Sequence, residues 1–134
     1  AKAMRKRFMD NLPRLKSLVD GLKKAWKERG YLIGLDGRKI FVRSEHMLLV
    51  YLLQSAEAIM MKVSTCFAHK YCQQYDAHMV AHVHDESQWE VIEKDSQIVG
   101  ELLEKSIVKA GEYLNLTVPM AGEADIGMNW KDTH

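Results

Sequence analysis

At 134 residues the chain suffices for one domain with a real core. Its 47% hydrophobic and 28% charged content excludes an intrinsically disordered chain, and only two cysteines, Cys66 and Cys72, exclude a disulfide-stapled scaffold. The net charge of +1 conceals a gradient: residues 1–46 hold 13 Lys/Arg against 5 Asp/Glu (+8), residues 47–84 balance, and residues 85–134 hold 4 against 11 (−7). A basic first third attracts phosphates, or simply solvates helix faces. No uninterrupted apolar run reaches the ~18–20 residues of a bilayer span, and the basic start lacks a signal peptide's apolar segment. A soluble, reducing, cytoplasmic setting with no membrane partner is therefore expected.

Residues 2–10 read as the tail of a helix that begins upstream, with Asn11 and Pro13 marking a break and restart, because proline is tolerated in a helix's first turn. Leu12, Leu15, Val19, Leu22 and Trp26 then recur at spacings of 3, 4, 3 and 4, one apolar stripe of a helix that Gly30 ends. Asp36-Gly37 predicts a hairpin turn between Tyr31–Ile33 and Ile40–Val42. Ser44 is placed to cap a long helix reaching about Tyr75. Met47–Leu53 and Ala56–Met61 are apolar on nearly every side, which predicts a helix buried inside the fold. Its polar Gln54, Ser55 and Glu57 then have to face water or a ligand in a groove, since buried amides without partners are costly.

The stretch "AHMVAHVHDESQWEV", residues 77–91, predicts a second hairpin with Asp85 and Glu86 at its tip. Plain alternation puts Met79, Ala81, Val83, Trp89 and Val91 on a face packed against helices, and His78, Val80, His82, His84, Gln88 and Glu90 on the other. Residues 95–114 follow as an amphipathic helix (Ile98, Leu102, Ile107 or Val108, Tyr113), and "LTVPMAGEADIGMNW" as a final strand interrupted at Pro119, with a tail.

A carboxylate at a hairpin tip suits a hard cation such as magnesium, which is held by one or two carboxylates, several waters and substrate phosphates. The bland alternative is an ordinary polar turn. A third possibility takes His82-x-His84 with Asp85 as a zinc site, needing a further ligand from His69, His78 or His134 that no spacing recommends. The cysteines stand six apart on a predicted helix, which is no metal-ligand spacing.

The motifs decide more than the spacing. "VHDE" at Val83–Glu86 resembles motif C of the family-A DNA polymerases, and it arrives in order with companions. "RFMDNLPRLKSLVDGLKKAWKERGYLIGLDGRKIFV" resembles that family's fingers segment, "LLQSAEAIM" the start of its long palm helix, and "GMNWKDTH" its C-terminal ending. The likeness covers essentially the whole chain and is nearer to phage members than to bacterial ones. It implies template-directed nucleotidyl transfer by a two-metal mechanism, with Asp85 as a metal-binding catalytic aspartate, Glu86 as its lesser neighbour and His84 near the primer terminus. It further implies DNA contacts by Gln54, Arg38, Arg43 and His46. At Val50 the family commonly has Asn, so that contact is not carried over.

The same resemblance implies that motif A, with the second metal-binding aspartate, and the nucleotide-gripping fingers helix lie upstream of the segments matched here. The chain is accordingly expected to be a C-terminal polymerase fragment, inactive alone, that works with primer-template DNA, deoxynucleoside triphosphates and Mg2+ in the complete enzyme, with metal binding weak or absent in the fragment. The setting would be a bacterial or phage-infected cell. The expected fold is α+β in one unit: residues 1–45 as a fingers-derived basic helix and hairpin, residues 46–134 as a partial palm with the motif C hairpin, a long buried helix and flanking helices. The alternative is a non-catalytic basic nucleic-acid-binding module of polymerase shape.

Overall fold

The computed structural model describes residues 2–133. The fold is α+β: α1 (Lys2–Asn11), α2 (Pro13–Arg29), a hairpin of β1 (Leu32–Ile33) and β2 (Lys39–Ile40), α3 (Leu48–Cys72), a second hairpin of β3 (Ala77–Val83) and β4 (Glu86–Val91), and α4 (Ser96–Tyr113). It forms two compact units, residues 1–56 and 57–134. The division falls inside α3, whereas the sequence predicts one unit with parts at residues 1–45 and 46–134.

In the first unit, α2 begins with Pro13 in its first turn and ends at Gly30, whose φ of 79° lets its N–H reach the Trp26 carbonyl at 2.8 Å. Leu22 and Trp26 of the expected stripe pack on a core of Leu32, Val42 and Leu48. The Trp26 indole donates to the Val42 carbonyl at 3.1 Å, satisfying its one polar atom. Leu12 falls outside the helix and is exposed. The β1–β2 strands are shorter than expected but turn where Asp36-Gly37 predicts, with Gly37 at a φ of 82°.

Two expectations about α3 fail. It starts later, after a 3-10 turn at Glu45–Met47, and Ser44 makes no side-chain cap bond. Nor is it buried on all sides: Leu53 is 57% exposed, and Val50, Gln54 and Glu57 share that exposure. Its polar side chains therefore meet solvent, and no cost of burial arises for Gln54. By length and composition alone the segment Glu45–Cys72 is apolar enough to span a bilayer (mean hydropathy 1.3), with 28% of that window buried. Counting uninterrupted apolar runs does not register this, because Gln54, Ser55, Glu57 and Lys62 interrupt the stretch.

In the second unit, Ile59, Met61, Ser64, Ala68 and Cys72 make the buried stripe of α3, and Val99, Ser106 and Ala110 that of α4. The α4 stripe matches the predicted one only in part: Leu102 and Ile107 are half-buried, whereas Ile98, Val108 and Tyr113 are exposed. Gly100, Ser106, Ala110 and Gly111 lie buried beside Val99, so a search for large apolar residues alone finds only part of the contact face. Residues 116–128 form no strand. They run instead across α4, where a Cβ at Gly111 would lie 2.6 Å from Met120 Cγ and one at Gly122 would collide with Ile107. The Ala124 N–H donates to Glu104 at 3.0 Å, anchoring the crossing.

Candidate functional site

The β3–β4 hairpin closes through a two-residue loop, His84-Asp85, between the paired Val83 and Glu86. Two-residue hairpin loops need positive φ, and His84 supplies it at 54°, a left-handed conformation uncommon outside glycine. The local backbone thereby sets Asp85 in the loop and Glu86 at the start of β4 as consecutive carboxylates. Asp85 is exposed and Glu86 half-buried.

The strands do not alternate plainly. Met79 pairs with Trp89, but Ala81 pairs with Gln88, His82 with Ser87 and Val83 with Glu86, so Val80 is an extra residue in a β-bulge. Beyond the bulge the pairing is shifted by one residue; Ala81 stays half-buried and His82 exposed, but Val83, expected inside, is 46% exposed. Bulges are common beside functional sites because they re-aim side chains. Trp89 remains half-buried, with its ring centroid 5.2 Å from that of His69.

Behind the tip runs a polar relay. Gln88 donates from Nε2 to Glu86 Oε1, and its own Oε1 lies 3.2 Å from Thr133 Oγ1, whose one proton it shares with the Trp130 carbonyl, also at 3.2 Å. Trp89 Nε1 donates to Ser87 Oγ at 3.0 Å. A residue 45 positions away in sequence thus braces the hairpin tip, a relation that no local spacing reveals. The tip opens on a cavity of about 1550 Å³, lined by Asp85, Glu86 and Gln88 from the hairpin, Ser64 from α3, Ser106 from α4 and Thr133 from the tail.

The hairpin brings His84, Asp85 and Glu86 together. It does not build the zinc alternative: among the described residues no three His, Cys, Asp or Glu side chains gather as metal ligands. His78 is held by Asp76 at 2.8 Å, and His134 lies outside the described residues. Cys66 is exposed, while burial pushes the Cys72 thiol up. A hard cation fits the tip better than zinc does, because its donors are carboxylate oxygens and such an ion completes its shell with water and phosphate.

The other four candidate residues belong to the first unit. Gln54, His46 and Arg43 are exposed. Arg38 donates from Nε to Asp36 Oδ2 at 2.7 Å. Desolvation alone would raise the Asp36 carboxyl, but these bonds and the guanidinium charge outweigh it and hold it below its usual range. A guanidinium already shared with a carboxylate is a weaker phosphate donor than Arg43, which makes no ion pair among the described residues.

Comparison with known proteins follows the same lines. The family model described as DNA polymerase family A matches residues 1–132. The DNA-directed DNA polymerase of Escherichia phage Phieco32 is 39% identical over 98% of this chain, which spans 23% of that relative. That of Escherichia phage T7 is 29% identical over 99% of the chain and 22% of its own length. The DNA polymerase I of Aquifex aeolicus is 31% identical, covering 97% and 23%. Among solved structures, the POL domain of Pol1 from M. smegmatis, in complex with DNA primer-template and dNTP, matches with a TM-score of 0.73 at 17% identity, over 81% of this chain and 22% of that one. The chain spans less than a quarter of each of these relatives.

Proposed function

The chain belongs to DNA polymerase family A, and on that premise we propose that it is the C-terminal, motif C-bearing part of a template-directed nucleotidyltransferase. The observation that carries this reading is the pair Asp85-Glu86 at a two-residue turn opened by the positive φ of His84, with Asp85 exposed and Glu86 braced through Gln88. Asp85 is the exposed carboxylate and is assigned as a ligand of magnesium. Bound there, the ion would lower the pKa of the primer hydroxyl and neutralise the nucleotide's phosphate charge. The relay through Gln88 orients Glu86, and His84 stands beside the primer terminus. Catalysis in the complete enzyme is then positioning plus charge neutralisation, with little covalent work for the protein.

Gln54, Arg43, His46 and Arg38 are assigned to the primer-template, supported by the +8 balance of residues 1–46. The partners are primer-template DNA and deoxynucleoside triphosphates, with no membrane, in the cytoplasm of a bacterial or phage-infected cell. The deciding experiment expresses the full open reading frame that contains this chain and measures nucleotide incorporation on a primed template. Template-dependent incorporation that Asp85→Asn abolishes supports the assignment, and a normal rate with Asp85→Asn overturns it.

A further inference from the structure

The aromatic pair at the base of the first hairpin has no part in the chemistry above. Leu32 pairs with Ile40, and one step outward Tyr31 and Phe41 meet with ring centroids 6.0 Å apart at 56°. Val42 turns inward to the core while its neighbour Phe41 points out, 71% exposed. Two cations stand over the Tyr31 ring, and Arg43 follows Phe41 two residues on in the chain. Lys39 Nζ lies 4.7 Å and Arg29 Cζ 5.8 Å from the Tyr31 centroid. Among the described residues Arg29, Lys39 and Arg43 make no ion pair. Arg29 and Lys39 occupy Tyr31, and among the described residues the Phe41 ring meets no other ring or cation than Tyr31.

A large apolar ring left in water beside uncompensated positive charge is costly to maintain unless something covers it. An acidic peptide would satisfy the cations but has no use for the ring. Duplex DNA would offer phosphates but hides its base faces in the stack. A single strand alternates phosphates with unpaired bases, so it matches both features, and base stacking on an aromatic ring is indifferent to sequence. We propose that Tyr31 and Phe41, flanked by Arg29 and Lys39 and followed two residues on by the exposed Arg43, form a stacking platform for an unpaired base of single-stranded DNA. This rests on the polymerase reading and deepens it, since a template strand is single-stranded ahead of the primer.

The test uses this chain and a labelled mixed-sequence oligonucleotide, single-stranded or as a blunt duplex, with affinity read by fluorescence anisotropy across a salt series. Phe41→Ala should weaken single-strand binding roughly tenfold and leave duplex binding and the salt slope unchanged. Phe41→Trp should retain single-strand affinity. Lys39→Gln should make the single-strand salt slope shallower by about 0.7. Because Phe41 is exposed, its variants should keep the parent's circular dichroism and melting curve. The proposal is overturned if Phe41→Ala leaves single-strand affinity unchanged, if it weakens both DNA forms equally, or if poly-glutamate competes as well as the oligonucleotide. Duplex binding without single-strand binding overturns the platform alone. Failure to bind either form overturns the DNA-binding assignments of the first unit as well.

Discussion

Ser64 and Ser106 share one buried hydrogen bond, Oγ to Oγ at 2.9 Å, and its direction is fixed: Ser106 spends its only proton on the Leu103 carbonyl at 2.6 Å. Ser64 is therefore the donor and Ser106 the acceptor. Ser106→Ala should cost more than Ser64→Ala, because it strands the Ser64 hydroxyl, a loss of about 1–3 kcal/mol. The double variant should cost less than the sum of the two. Urea midpoints of the three variants check the order.

Asp85→Asn should separate stability from chemistry. The side chain is exposed, so the melting of this chain should shift by no more than about 0.5 kcal/mol equivalent. In the complete polymerase the same change should lower nucleotide addition by orders of magnitude while primer-template binding persists. A large loss of melting temperature here, paired with normal turnover there, would make Asp85 a mere turn residue.

The 134-residue chain alone should not extend a primer with magnesium and all four nucleotides. Among its described residues no third ligand joins the Asp85-Glu86 tip, and losing an anchor from a two-metal centre costs most of its activity. Robust extension by highly purified chain contradicts this.

Glu45 receives Lys23 at 3.0 Å and Lys27 at 3.5 Å. The Lys23 hydrogen bond, then its charge, hold the Glu45 carboxyl below the ordinary 4.5. A lowered carboxylate pKa stabilises the fold above the ordinary value, and that contribution disappears as pH falls through the lowered one. Glu45→Gln should therefore melt lower than the parent at neutral pH and converge with it at strongly acidic pH. Parallel melting curves with a constant offset across that range would refute the linkage.

Thr133→Val should keep the fold of the second unit but release the brace on Gln88. In the complete polymerase the expected signature is a several-fold fall in kcat with little change in KM for nucleotide. An unchanged kcat would reduce the relay to packing.

Local rules were legible where one residue decides the backbone. Pro13, Gly30 and Gly37 each stand where the sequence assigns them. The hairpin tip was legible too, through its composition and its resemblance to motif C. Faces were harder. The bulge at Val80 leaves no composition signal, so period-two reasoning misplaced Val83. On α4 the close crossing of residues 116–128 demands Gly111 and small neighbours, which the usual equation of large apolar with buried does not find. Gln88 was read as a solvent-facing polar residue because its partner Thr133 arrives from the far end of the unit.

The left-handed φ at His84 also acts as a filter on variation. β-Branched residues and proline are excluded there by backbone shape, whereas Gly, Asn, Asp and His tolerate it. A saturation library at position 84 sorted only for folding would already be depleted in Val, Ile, Thr and Pro. Whatever separates His from Asn and Gly in a second sort, made for polymerase output, then measures what the imidazole itself contributes.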